Sequence, residues 1–417
     1  MNLLIKSAVL IFPQHKLHGK SVDIFIKNGV VESISSKSKS KADKEFDAKG
    51  MFVSSGWIDL NANFCDPGFE WREDTESGLL SAAYGGYTQV CTMPTTMPSV
   101  QTKGDVKYQL KKAEGNIVSL LPIGSVSIDN KGEELSELFD MHQHGAVAFS
   151  DGYKDKLSSQ IMLRSLLYTK NFNGLTFSFP EDEQLSEGGQ INEGKMSAEL
   201  GMKTIPTIAE LIRLERDIAL LEYSDSRLHV CSISSKEAVE AIRKAKKKGL
   251  KITCDVSIHN LVATEDKLAD FDTNYKVKPP LRATVDVKAL IKGLNDGTID
   301  AITSRHTPWE EELKTVEFQL APFGMISIQT VYSHLIEAGI EREVVVEKLS
   351  TGPQKVLGIT SGLVEGENAS LTLFNDEEWT LDKNTNKSKS KNTPYFNVKL
   401  KGKAQAIFNN NQFKTLK

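Results

Sequence analysis

WIDLNAN (57–63), YTQVCTM (87–93), IVSLLPIGSV (117–126), AVAFSD (146–151), LTFSF (175–179), RLHVCS (227–232), KITCDV (251–256) and DAITSR (300–305) are short apolar runs of strand-forming residues spread along the middle of the chain. Helical patterns separate several of them. TIAELIRLERDIALLEYSD (207–225) places Leu211, Leu214, Ile218 and Leu221 on one face at helical spacing. SKEAVEAIRKAKKKG (235–249) opens on a serine cap and closes on Gly249, the usual start and stop signals of a helix. Strands alternating with helices over about 250 residues close into a parallel (β/α)8 barrel. The pattern therefore predicts an α/β protein with a TIM-type barrel over 56–359.

Outside that stretch the texture changes. VDIFIKNGVVESI (22–34) carries an Asn-Gly pair between two β-rich runs, a strong hairpin signal. ASLTLFN (369–375) and YFNVKLKGKAQAIFNNNQ (395–412) repeat the texture near the other end. Residues 1–55 and 360–417 are thus expected to combine into a small β-sandwich side domain. The Lys/Ser-rich segments 35–44 and 386–392 read as solvated loops.

With 417 residues, 51 Lys plus Arg and 55 Asp plus Glu, the chain has a formal net charge of −4. That balance argues against a nucleic-acid coat protein and against a polybasic membrane binder. Apolar residues make up 39% and charged residues 25%, too apolar for a disordered chain. Cys65, Cys91, Cys231 and Cys254 show no C-x-x-C spacing, so reduced thiols in a cytoplasm are expected. No apolar run reaches the length of a membrane span or a secretory signal.

In a barrel of this kind chemistry sits where strands end. The residues there are Asn61, Asn63, Thr95, Asp151, Phe179, Ser232, Arg305 and His306. GWIDLNANFCDPGFEWREDTESG (56–78) resembles the first strand and loop of dihydroorotases, in the amidohydrolase superfamily. GAVAFSDG (145–152), QLSEGGQINEG (184–194), DTNYKVKPPLR (272–282), NDGTIDAI (295–302), APFG (321–324) and SKSKNTP (388–394) extend the resemblance along nearly the whole chain. The resemblance implies a His-x-His pair where this chain has Asn61-Ala62-Asn63. It implies two more metal-binding histidines where Phe179 and Ser232 stand, and a catalytic Asp where Arg305 stands. The bridging carboxylate corresponds to Asp151, which is present. Among substrate positions, the family's Arg is replaced by Cys65, its two Asn by Thr95 and Lys278, and its His by Trp309. Pro322 and Gly324 belong to an intact APFG segment, which offers backbone contacts in the family.

Neutral amides and hydroxyls are weak ligands for zinc. Bound zinc lowers the pKa of water from 15.7 to about 7, so its loss removes roughly eight powers of ten in available hydroxide. A guanidinium about 4 Å from a divalent ion is disfavoured by roughly 8 kcal/mol at an effective dielectric of 20. The expectation is a non-catalytic relative without metal, with Arg305 pairing Asp151 in the vacated space. The resemblance implies a structural or regulatory role, a homo-oligomer, and association with the aspartate transcarbamoylase catalytic chain. The alternative is an active dihydroorotase or amidohydrolase, opening a cyclic amide with zinc in an altered site. A soft metal site of Cys65, Asp151 and His306, a Cys65 nucleophile with His306 as base, and a small-molecule sensor at the mouth are further readings. His142, His144, His229 and His259 read as structural or surface histidines.

Overall fold

The computed structural model describes residues 2–153, 156–360 and 362–416. Each β-type run of the middle region forms a strand: Trp57–Ala62, Tyr87–Thr92, Ser119–Gly124, Ala148–Phe149, Thr176–Ser178, Leu228–Val230, Ile252–Ser257 and Ala301–Thr303. They make one 8-stranded sheet in sequence order, every neighbouring pair parallel. A bridge from Ala62 to His306 joins the last strand to the first, and the Asn63 amide donates to the His306 carbonyl at 2.9 Å. The barrel is closed there.

Helices Thr207–Ser224 and Lys236–Lys247 occupy the expected segments. Ser235 caps the second, its side chain accepting from the Ala238 amide. The first buries more than its apolar stripe. Glu210, Arg213 and Asp217 also turn inward, and such charges are tolerated inside only when paired. Arg213 meets Asp217 at 3.4 Å, and Glu210 meets Arg282 at 3.4 Å. No helix among the described residues is long and apolar enough to cross a membrane.

Both chain ends share a second 8-stranded sheet. Phe52–Ser55 lies between Asn2–Leu10, to which it is parallel, and Leu371–Thr380, to which it is antiparallel. Leu3, Ile5, Ile24, Leu371, Leu373 and Phe408 contribute to a core of its own. The Asn-Gly turn sits between Lys27 and Val30, with φ of 50° at Asn28 and 84° at Gly29. Those angles suit the tight turn that matches strand twist.

The 386–392 segment departs from the solvated-loop reading. Ser390 and Asn392 are buried. Ser388 and the Lys389 amide bind Glu73, and Ser390 donates to the Arg72 carbonyl at 2.8 Å. The polar side chains that suggested solvation serve instead as hydrogen-bond donors to a buried carboxylate and to loop carbonyls.

Trp57 joins the two sheets. It is fully buried, with its ring 5.2 Å from Tyr332 and 5.2 Å from Phe374 between centroids. Its indole nitrogen donates to Ser54 at 3.0 Å. Gly86, at φ 89°, leaves room for it, since a Cβ there would fall 2.8 Å from the indole. Trp57→Ala should therefore lower unfolding stability by about 3–5 kcal/mol, read by urea denaturation. A loss below 1 kcal/mol would contradict this role.

Candidate functional site

Closure of the barrel sets Asn61 and Arg305 side by side, each one residue before the Ala62–His306 bridge. Asn61 is fully buried, and its Oδ1 accepts from the Tyr153 hydroxyl at 2.9 Å. The Arg305 guanidinium lies 3.8 Å over the Tyr153 ring and 5.3 Å from the Phe179 ring. Its Nη2 donates to the Lys278 carbonyl. Phe179 meets Tyr153 edge-on at 6.2 Å. Residues 61, 179 and 305 thus gather around Tyr153, which sequence reasoning missed. Its only signal was position, two residues after Asp151 in the loop leaving the fourth strand.

The expected Arg305–Asp151 pair is not among the contacts of the described residues. Asp151 accepts from the Ser127 amide at 2.8 Å and from the Ser127 hydroxyl. Arg305 leans the other way, toward the aromatic rings. Asn63 turns aside too, its Oδ1 accepting from the Cys65 amide at 3.0 Å.

Ser232 has φ of 54°, which breaks strand alternation and turns it back toward Asp255. Asp255 accepts from the Ser232 amide at 2.8 Å, the Ser232 hydroxyl at 3.2 Å and Thr303 at 3.0 Å. Its other oxygen meets His229 Nε2 at 2.9 Å. The ligand atoms of His229, Cys231 and Asp255 lie within 4.8 Å of one another, the one such group among the described residues. On sequence alone His229 reads as structural and Asp255 is not singled out. Strand pairing explains the meeting: Val230 opposes Cys254, so Cys231 and Asp255 are the next step along neighbouring strands.

Cys65 and Arg305 share the left-handed backbone of Ser232, with φ of 62° and 53°. Each such residue costs roughly 1–2 kcal/mol.

Of the positions that the resemblance implies for substrate, Lys278, Trp309, Pro322 and Gly324 are engaged internally. Cys65 is buried, and burial pushes its thiol far above the usual range. Lys278 pairs with Glu181 at 2.7 Å. Trp309 donates from its indole to the Phe323 carbonyl at 2.9 Å and stacks under Arg72, 4.1 Å away. The Pro322 and Gly324 carbonyls accept from Lys314 Nζ at 2.9 and 3.1 Å. Lys276 holds the Phe318 and Gln319 carbonyls at 2.7 and 3.2 Å. Thr95 is half-buried and its hydroxyl has no partner among the described residues.

Cys65, Asp151 and His306 do not converge. His306 Nε2 faces Glu73 at 3.3 Å while its Nδ1 lies 3.2 Å from the Ser327 amide. That amide can only donate, which places the imidazole proton on Nε2. His259 is buried, and burial followed by the Arg305 charge lowers it to about 3. His142 stacks on Phe172 at 4.8 Å, and His144 bonds the Asp140 carbonyl at 2.7 Å.

Burial lowers Lys276 to about 8. Burial and then the Lys276 charge lower Lys314 to about 7. Between pH 7 and 8.5 the folded chain sheds these protons while the unfolded chain keeps them, so stability rises with pH. The expected gain is about 2 kcal/mol over that window, read from urea midpoints. Lys314→Met should flatten the slope, and a wild-type stability falling with pH would refute the assignment.

The sequence profile described as Dihydro-orotase-like matches residues 50–238. A dihydroorotase of Acetivibrio thermocellus is 40% identical over 408 residues, 96% of this chain and 96% of the relative. One of Caldanaerobacter subterraneus subsp. tengcongensis is 38% identical over 411 residues, 96% of this chain and 94% of the relative. The L-hydantoinase (dihydropyrimidinase) of Arthrobacter aurescens superposes with a TM-score of 0.87 at 23% identity, covering 99% of this chain and 95% of its own, a likeness of fold. Taken with the closed barrel and the shared end sheet, the similarity along the full length of these relatives establishes that the chain belongs to the dihydroorotase-like family.

Proposed function

We propose that this member of the family is a non-catalytic structural or regulatory protein. The observation that carries the reading is Arg305, whose guanidinium lies over Tyr153 beside Asn61, at the strand end where the resemblance implies a catalytic carboxylate. The donors at the implied metal positions are two amides, a phenyl ring, a hydroxyl, a guanidinium and one carboxylate. This set does not fit a pair of divalent cations, which need imidazole nitrogen or carboxylate oxygen and are repelled by a fixed positive charge. Internal bonding of Lys278, Trp309, Pro322 and Gly324 supports the same reading.

A second reading has its own support. The relatives quoted above are named dihydroorotase, and their shared name weighs on the side of hydrolysis of a cyclic amide, dihydroorotate to N-carbamoyl-aspartate. His229, Cys231 and Asp255 offer a metal-type donor set for it. Against that use, Asp255 already accepts from His229, Ser232 and Thr303.

Metal analysis of freshly purified protein, paired with a dihydroorotate hydrolysis assay, separates the two. The non-catalytic reading expects less than one zinc per ten chains and no turnover with added zinc. Stoichiometric zinc with turnover establishes the second reading. Arg305→Asp alone should not restore activity, because the amides at 61 and 63 remain. For the partner implied by the resemblance, co-purification with an aspartate transcarbamoylase catalytic chain is expected, and clean separation on a sizing column opposes it.

A further inference from the structure

We infer that the barrel mouth holds a small monovalent anion, bound by Arg305 and Asn61 beside Tyr153. The inference rests on the non-catalytic reading above. Arg305 is 4% exposed. Among the described residues its side chain makes one hydrogen bond, from Nη2 to the Lys278 carbonyl, and its Nη1 has no partner.

The carboxylates nearby are committed elsewhere. Asp151 takes the Ser127 amide and hydroxyl. Asp59 accepts from the Ser304 amide at 3.0 Å, from its hydroxyl, and from the Asn61 amide at 3.3 Å. Asp255 is held by His229, Ser232 and Thr303, and Glu181 by Lys278.

Burying a charge without a partner costs several kcal/mol even after relaxation. Stacking on Tyr153 offsets only part of that cost. The difference calls for a counter-charge, and the neighbouring free groups specify its sign. Asn61 Nδ2 is buried and unpartnered among the described residues, as is the Thr95 hydroxyl. Asn61 and Arg305 are cross-strand neighbours at the Ala62–His306 bridge. Thr95 packs where a Cβ on Gly152 would fall, 2.4 Å from its methyl, next to Tyr153. The free N–H groups of Asn61 and Arg305 accept no cation, and they donate well to a halide or a small oxyanion.

The test uses the full chain. Crystals grown in sodium bromide and measured at the bromine absorption edge should show an anomalous peak in contact with Arg305 Nη1 and Asn61 Nδ2. In solution, the thermal midpoint should rise with bromide relative to gluconate at equal ionic strength, and Arg305→Met should abolish that difference. Asn61→Leu supplies a second variant should the first fail to fold. A rise with bicarbonate in place of bromide also supports the inference and assigns the guest as an oxyanion. Ordered water at the position, with no anion-specific rise, overturns the inference while leaving the non-catalytic reading intact. A transition-metal peak at the mouth overturns both.

Discussion

The contact between the first and last barrel strands is the constraint on which the rest depends. The Ala62–His306 bridge closes the sheet, and it fixes the height at which Asn61 and Arg305 face one another. From that height the guanidinium reaches the Tyr153 ring at 3.8 Å. A cation placed among residues 61, 151, 179, 232 and 305 would share the mouth with a permanent positive charge that no change of pH removes. Arg305 would therefore oppose such a cation with its own charge as well as offering it no ligand atom.

Five buried carboxylates are stabilised by hydroxyl partners. Asp59 is held by Ser304, Asp151 by Ser127, Asp255 by Ser232 and Thr303, Glu210 by Ser234, and Glu73 by Ser77 and Ser388. In each case a hydroxyl donates to a carboxylate in an apolar setting, where an unmet charge is costly and a met one rigidifies its surroundings. Burial still dominates at Asp59, which is raised to about 6 despite its donors. A network of this kind orders the strand ends from within, and the two buried lysines do the same for the 309–324 segment above them.

Most of the fold was legible because it is written in periodicity. Seven barrel strands fall inside their apolar runs and the one from Ile252 overruns its own by Ser257 alone, the Asn28-Gly29 turn lies where its dipeptide placed it, and the helix after Ser235 starts at its cap. What was not legible depends on contacts between distant segments. Nothing near Lys389 in the chain announces that Glu73 lies beneath it, so a Lys/Ser-rich stretch read as solvent-facing. The site divides the same way. The identities of Asn61, Phe179, Ser232 and Arg305 could be compared position by position with the family, whereas the direction of Arg305 could not. Arg305 rests on Tyr153, and Asp151 is met by Ser127. The meeting of His229, Cys231 and Asp255 needed the register of two adjacent strands.

Diffraction at the zinc absorption edge, from crystals of protein produced and kept with excess zinc, addresses the geometry of Arg305 directly. This account predicts the guanidinium resting on Tyr153, with no anomalous density between Asn61 and Asp151. A pair of zinc peaks within ligand distance of Asp151, with Arg305 swung out of the mouth, would contradict it and make the protein a metal-dependent hydrolase.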